Sequence, residues 1–128
     1  MKWRWQQSVG GAYACVVLDT APLISAVQPA ADRLRTLPES GLRRGAAAEG
    51  LALARELAVR AQRLEFPGRT PRELPDVGVF VVGDQLLVAA HDLAEILREV
   101  DADHELADAV GLVQLATVRI AAAATGKR

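Results

Sequence analysis

The stretch Pro75-Asp76-Val77-Gly78-Val79-Phe80-Val81-Val82-Gly83-Asp84-Gln85-Leu86-Leu87-Val88-Ala89-Ala90-His91-Asp92-Leu93-Ala94-Glu95-Ile96-Leu97-Arg98-Glu99-Val100 decides the fold, because it admits two readings. As a helix, Val79, Val82, Leu86, Ala89, Leu93, Ile96 and Val100 recur at alternating intervals of three and four, the seam of a packed helix. Asp76 then stands as the N-cap, its carboxylate placed to accept from the free amides of the first turn. As a hairpin, Val77–Val82 and Gln85–Ala90 are strands around Gly83-Asp84, favoured by the β-branched run Val79-Phe80-Val81-Val82. The apolar seam passes through Gly83-Asp84 without losing phase, which a hairpin does not require. The expectation is one helix from about residue 76 to about 101.

The same periodicity recurs on both sides. Leu42, Ala46, Leu53, Leu57, Ala61 and Leu64 share one side of a segment that Ser40 is placed to cap and that stops at Phe66-Pro67-Gly68. Residues 66–75, with Pro67, Gly68, Pro71 and Pro75, read as a loop. Asp103 is placed to cap a last helix with Leu106, Val110, Val113, Thr117 and Ile120 in phase, before a frayed tail from Thr125 to Arg128. In the first third, Trp5, Val9, Ala12 and Val16 fit a helix face weakened by Gly10-Gly11. Leu23, Val27, Ala31, Leu34 and Leu37 form a second stripe, with Thr20 as cap, Pro22 in the first turn and a kink or break expected near Pro29. The sum is an all-α fold of four to five helices in an antiparallel bundle, one helical domain over residues 1–128.

Composition agrees. Hydrophobic residues make up 51% but aromatics only 4%, so the core is built from Leu, Ala and Val, which suits close-packed helices. The lone cysteine, Cys15, excludes an internal disulfide and a Cys-rich zinc site, which points to a reducing, cytoplasmic setting; its place in an apolar run marks it as a small buried hydrophobe. Arg and Ala bias is that of GC-rich bacterial coding and carries no chemistry. The longest uncharged run, Trp5–Leu18, falls short of the roughly 18 residues a membrane span needs, so no membrane is expected. Gln6, Gln7, Ser8, Gly10 and Gly11 spoil a signal peptide.

Charge is divided. Residues 1–72 carry 11 Lys+Arg against 6 Asp+Glu, and residues 73–128 carry 4 against 10. Complementary flanks on neighbouring helices account for this, as does self-association of basic against acidic faces. Arg33 to Arg72 makes a poor nucleic-acid footprint, since Phe66 is its one aromatic and Glu39, Glu49, Glu56 and Glu65 interrupt it. No nucleic acid is expected.

Motifs for chemistry are sparse. Asp84, His91 and Glu95 share one face at helical spacing and are nitrogen and oxygen ligands of the kind that hold Zn, Mn or Fe, but the paired Glu-x-x-His of di-metal bundles is absent. Ser8, Ser25 and Ser40 sit in no nucleophile elbow, and no phosphate-binding glycine motif is present.

Two short strings support an alternative. Val16-Val17-Leu18-Asp19-Thr20-Ala21-Pro22-Leu23-Ile24 resembles the opening of PIN-domain ribonucleases, where an apolar strand ends in a metal-binding Asp. Gly83-Asp84-Gln85-Leu86-Leu87-Val88-Ala89-Ala90 is similar to that family's later Asp at a helix start. The resemblance implies an α/β fold and an acidic cluster of Asp19, Glu56, Asp84 and Asp101 that holds Mg or Mn and activates water on a phosphodiester.

The leading expectation is a small soluble interaction or regulatory protein without catalytic residues or cofactor, acting through bundle surfaces. From Val77 to Ala90 the central segment is apolar nearly all round as a helix, more than one buried stripe needs. Val77, Phe80, Val81 and Val88 are the expected interface with a second copy or a protein partner.

Overall fold

The computed structural model describes residues 5–7, 13–15, 18–100 and 102–126. The fold is an all-α bundle, preceded by a short strand pair. Strands β1 (Trp5–Gln7) and β2 (Tyr13–Cys15) are antiparallel, with Trp5 opposite Cys15 and Gln7 opposite Tyr13. The helix expected across Trp5 and Ala12 is therefore corrected. Paired glycines between two short segments favour chain reversal over helix propagation. Val9, Ala12, Val16 and the side chain of Cys15 lie outside the described residues.

Helix α1 (Ala21–Thr36) buries Leu23, Val27, Ala30, Ala31 and Leu34. Thr20 occupies the N-cap position without a side-chain bond. The Ala21 amide instead donates to Asp19 Oδ1 at 3.0 Å. The helix runs through Pro29 without a break. Pro29 is on the exposed face, so the carbonyl that loses its amide partner there can turn to water.

The next helical stretch is not continuous from Ser40. Pro38 precedes a short helix α2 (Glu39–Gly41), and a widened turn follows at Leu42–Ala46. Gly45 breaks the helical path there with φ 140 and ψ −12, a conformation that glycine tolerates and side chains resist. Helix α3 (Ala47–Glu65) then buries Gly50, Leu51, Leu53, Ala54, Leu57 and Ala61. It stops at Phe66, ahead of Pro67-Gly68, as expected.

Helix α4 (Val82–Val100) starts later than residue 76. Asp76 is not its cap; Asp76 Oδ1 accepts from the Gly78 amide at 3.1 Å, within the loop. Gly78 follows with φ 117, and Val79–Val81 form a single 3₁₀ turn before α4. The β-branched run and Gly78 together resist α-helix until Val82, where tertiary packing takes over. Gly83-Asp84 lie inside the helix, which removes the hairpin reading. Val82, Leu86, Ala89, Leu93 and Ile96 are buried in the expected phase. Helix α5 (Asp103–Ala124) begins with Ala102 as N-cap, so Asp103 is a first-turn residue rather than the cap. Its buried residues are Ala109, Val113, Ala116, Ile120 and Ala124.

Helices α1 and α3 both pack on α4, and both pack on α5, while α4 and α5 touch little. The four form a ring in the order α1, α4, α3, α5. Close approach is enforced at two glycines. A Cβ on Gly50 would meet Leu34 Cδ1 at 2.7 Å and Val82 Cγ1 at 2.9 Å, and one on Gly83 would meet the Ala31 carbonyl oxygen at 3.1 Å. Gly50→Val should therefore overpack the junction of α1, α3 and α4 and lower stability by about 2 kcal/mol or more, read by urea or thermal denaturation. An unchanged midpoint contradicts the crossing.

Candidate interaction surfaces

The acidic residues do not converge. Asp19 is exposed at the entry to α1 and accepts from the Ala21 amide. Glu56 pairs with Arg60 along α3 at 2.9 Å, and Asp84 pairs with Arg35 across α1 and α4, with Arg35 Nε donating at 2.9 Å. Asp101 lies outside the described residues. Among the described residues no three His, Cys, Asp or Glu side chains gather as metal ligands. His91 and Glu95 share the exposed side of α4 with Asp84, but Glu95 pairs with Arg98 and Asp84 with Arg35. The parallel βαβ frame implied by the PIN-domain resemblance is replaced by a helical bundle, and the described members of its acidic set serve as a helix-entry acceptor and two ion-pair partners.

The charge division is only partly resolved by helix pairing. Arg35–Asp84 and Arg55–Glu73 join the basic and acidic halves, whereas Arg43–Glu39 and Arg60–Glu56 are local pairs one turn apart. All four are at least partly exposed, so each contributes only about 0–1 kcal/mol.

Side chains of α3 and α4 fasten the loop over residues 66–78. Gln62 Nε2 donates to the Arg72 carbonyl at 2.9 Å, and the Arg72 amide donates to Gln62 Oε1 at 2.8 Å. Arg55 Nε donates to the Leu74 carbonyl at 2.8 Å, and Gln85 Nε2 to that of Pro75 at 2.9 Å. Arg69 lies over the Phe66 ring at 4.8 Å. This anchoring carries Val77 and Phe80 to the entrance of α4, where they are 60% and 63% exposed. Val88 on α4 is 61% exposed, and Val81 is half-buried. Three of the four residues expected at an interface thus stand open, though Val77 and Phe80 belong to a loop and a 3₁₀ turn rather than to a helix.

A second apolar surface lies on α5. Opposite the buried stripe, Ala107, Gly111, Leu115, Val118 and Ala122 fall on one side at helical spacing. Leu115 is 50% exposed and Val118 67%. Helix α5 is long and apolar enough to cross a membrane by length and composition, with a mean hydropathy of 1.5, and 22% of that window is buried against the bundle. Counting uncharged runs overlooks this helix because Asp108 and Arg119 interrupt it. The spacing of Gly111, Leu115, Val118 and Ala122 by four, three and four is the signal that reveals its outer face.

Comparison with known protein families, curated proteins and solved structures finds no match to this chain.

Gln62→Leu removes both bonds to Arg72. It should speed tryptic cleavage after Arg69 and Arg72 several-fold while lowering stability by only about 1–2 kcal/mol. Cleavage at the wild-type rate contradicts the anchoring role of Gln62.

Proposed function

We propose that the chain is a small non-catalytic interaction protein that self-associates through an outer surface of its helical bundle. The observation that carries this reading is the exposure of large apolar side chains in two groups, at the entrance of α4 (Val77, Phe80 and Val88) and on α5 (Leu115 and Val118), besides the single Phe66 under Arg69. A lone bundle needs one apolar stripe per helix, and further apolar surface marks contact with something else. Burying one Val, Leu or Phe side chain contributes about 1.5–3 kcal/mol, so a few such residues suffice to hold two chains together. Self-association covers one of the two surfaces and leaves the other to a further protein partner, with Val77, Phe80, Val81 and Val88 as one candidate face. The dispersal of the titratable side chains supports an interaction role over a catalytic one, with no cofactor required. The single cysteine and the absence of a disulfide framework support a cytoplasmic, soluble existence, and the Arg and Ala bias a bacterial source.

Light scattering after size exclusion over a wide concentration range tests the reading. The expected mass rises from 13.6 kDa toward twice that value as concentration increases. A mass of 13.6 kDa at every concentration overturns self-association.

A further inference from the structure

We infer that the outer face of α5 is the contact between two copies of this chain, laid antiparallel across a two-fold axis. The inference rests on the self-association proposed above and assigns it to one of the two surfaces. Along α5 the buried stripe of Ala109, Val113, Ala116, Ile120 and Ala124 faces α1 and α3. On the opposite side, Ala107, Gly111, Leu115 and Val118 are exposed and Ala122 is half-buried. The intervals from Gly111 to Ala122 alternate four, three and four, as in the seam between two packed helices. Gly111 fits this placement. Glycine inside a helix is destabilising, and a Cβ at Gly111 would meet nothing within 4 Å among the described residues, so packing among them gives no reason for it. A second helix backbone approaching that point does.

Charge selects the occupant and its direction. Asp108 and Arg119 are exposed, stand three turns apart, and lie on the same flank of the apolar stripe. Neither makes an ion pair or hydrogen bond among the described residues. Over the span from Val110 to Ala121 the other flank carries Val110, Gln114, Thr117 and Ala121, with no charge. In an antiparallel pair related by a two-fold axis, each flank meets the same flank of the second copy. Centring the axis between Gln114 and Leu115 sets Gly111 against the partner's Val118 and Ala107 against the partner's Ala122. It also brings Asp108 beside the partner's Arg119, twice over. A parallel pair sets the charged flank against the uncharged one and leaves all four charges unmatched. The entrance of α4 lacks this self-complementarity. Val88 lies one turn from Asp84, which is already paired with Arg35, and one turn from Asp92, so the charges beside it offer no pair of opposite sign to a second copy.

The test compares dimer dissociation constants by sedimentation equilibrium for the full chain and four variants, with circular dichroism as the check on folding. Every substituted side chain is exposed, so each variant keeps the bundle. Val118→Glu acts twice at a two-fold contact and should weaken the dimer about a hundredfold. Asp108→Arg should weaken it about tenfold, and the double variant Asp108→Arg with Arg119→Asp should return it to within about threefold of the original. Phe80→Asp should leave it unchanged. A dimer indifferent to Val118→Glu, or one that the double charge exchange fails to restore, overturns the inference. Loss of the dimer in Phe80→Asp with the α5 variants silent moves the contact to the entrance of α4 and leaves the self-association reading standing. A wild-type chain that is monomeric throughout overturns both. Binding of that monomer to phosphatidylcholine vesicles, abolished by Val118→Glu, reassigns the face to a bilayer.

Discussion

The first turns of α4 are wedged between α1 and α3, and the remainder of the bundle depends on that wedge. Gly83 meets the backbone of α1 at Ala31, and Gly50 on α3 leaves room for Leu34 and Val82. The chain is only 4% aromatic and its buried core among the described residues is Leu, Val, Ile and Ala, so it cannot span wide gaps between helices and gains density by drawing backbones together over Ala and Gly. The close crossing in turn brings Arg35 within reach of Asp84. It also lets α4 bury two rows at once, Leu86 and Leu93 alongside Ala90 and Leu97. An apolar excess that looks like a surplus in the sequence is therefore partly consumed by a helix with two covered neighbours.

Much of the bundle was legible because burial obeys the helical period. The stripes of α1 and α4 fall where spacing places them, since each helix faces the core along one side, whereas α5 keeps Val113 and Ile120 of its expected stripe but is turned to bury Ala109, Ala116 and Ala124 in place of Leu106, Val110 and Thr117. Features that depend on single backbone conformations were not legible. Gly45 gives no periodic sign that it breaks the stretch after Glu39, and Ser40, a good cap by type, sits inside a short helix that begins after Pro38. Asp76 is equally suited to capping and to a turn, and Gly78 two residues on decides for the turn. The strand pair before α1 joins segments too short for alternation to register. In each case the competing conformations differ by about 1 kcal/mol or less of local preference, and tertiary contact settles them.

The candidate surfaces were half legible for a related reason. Val77, Phe80 and Val88 were conspicuous in the sequence as large apolar residues in excess. A helix from residue 76 would place all three on α4, yet two of the three are held out by a loop and turn whose position depends on Gln62, Arg55 and Gln85. Those long-range bonds to backbone carbonyls leave no trace in the sequence. The outer face of α5 is faint in the sequence because Ala and Gly carry weak hydrophobic signals and because Asp108 and Arg119 divide it into short uncharged runs.

A ring of four helices has one inside, and each helix can turn only one side toward it. Helix α4 escapes this limit at its start, where α1 and α3 enclose it. Helix α5 does not, since its apolar residues fall into two stripes on opposite sides and the bundle covers one of them. No rearrangement within the ring covers both, because rotating α5 to bury Leu115 and Val118 would expose Val113 and Ile120. The exposure of the second stripe is thus a consequence of topology rather than of loose packing. Solvation of that stripe is unfavourable in an isolated chain, and a contact outside the bundle relieves it without disturbing the core. The rigid helix beneath it also reduces the ordering cost of such a contact, because its backbone is already fixed before a second chain arrives.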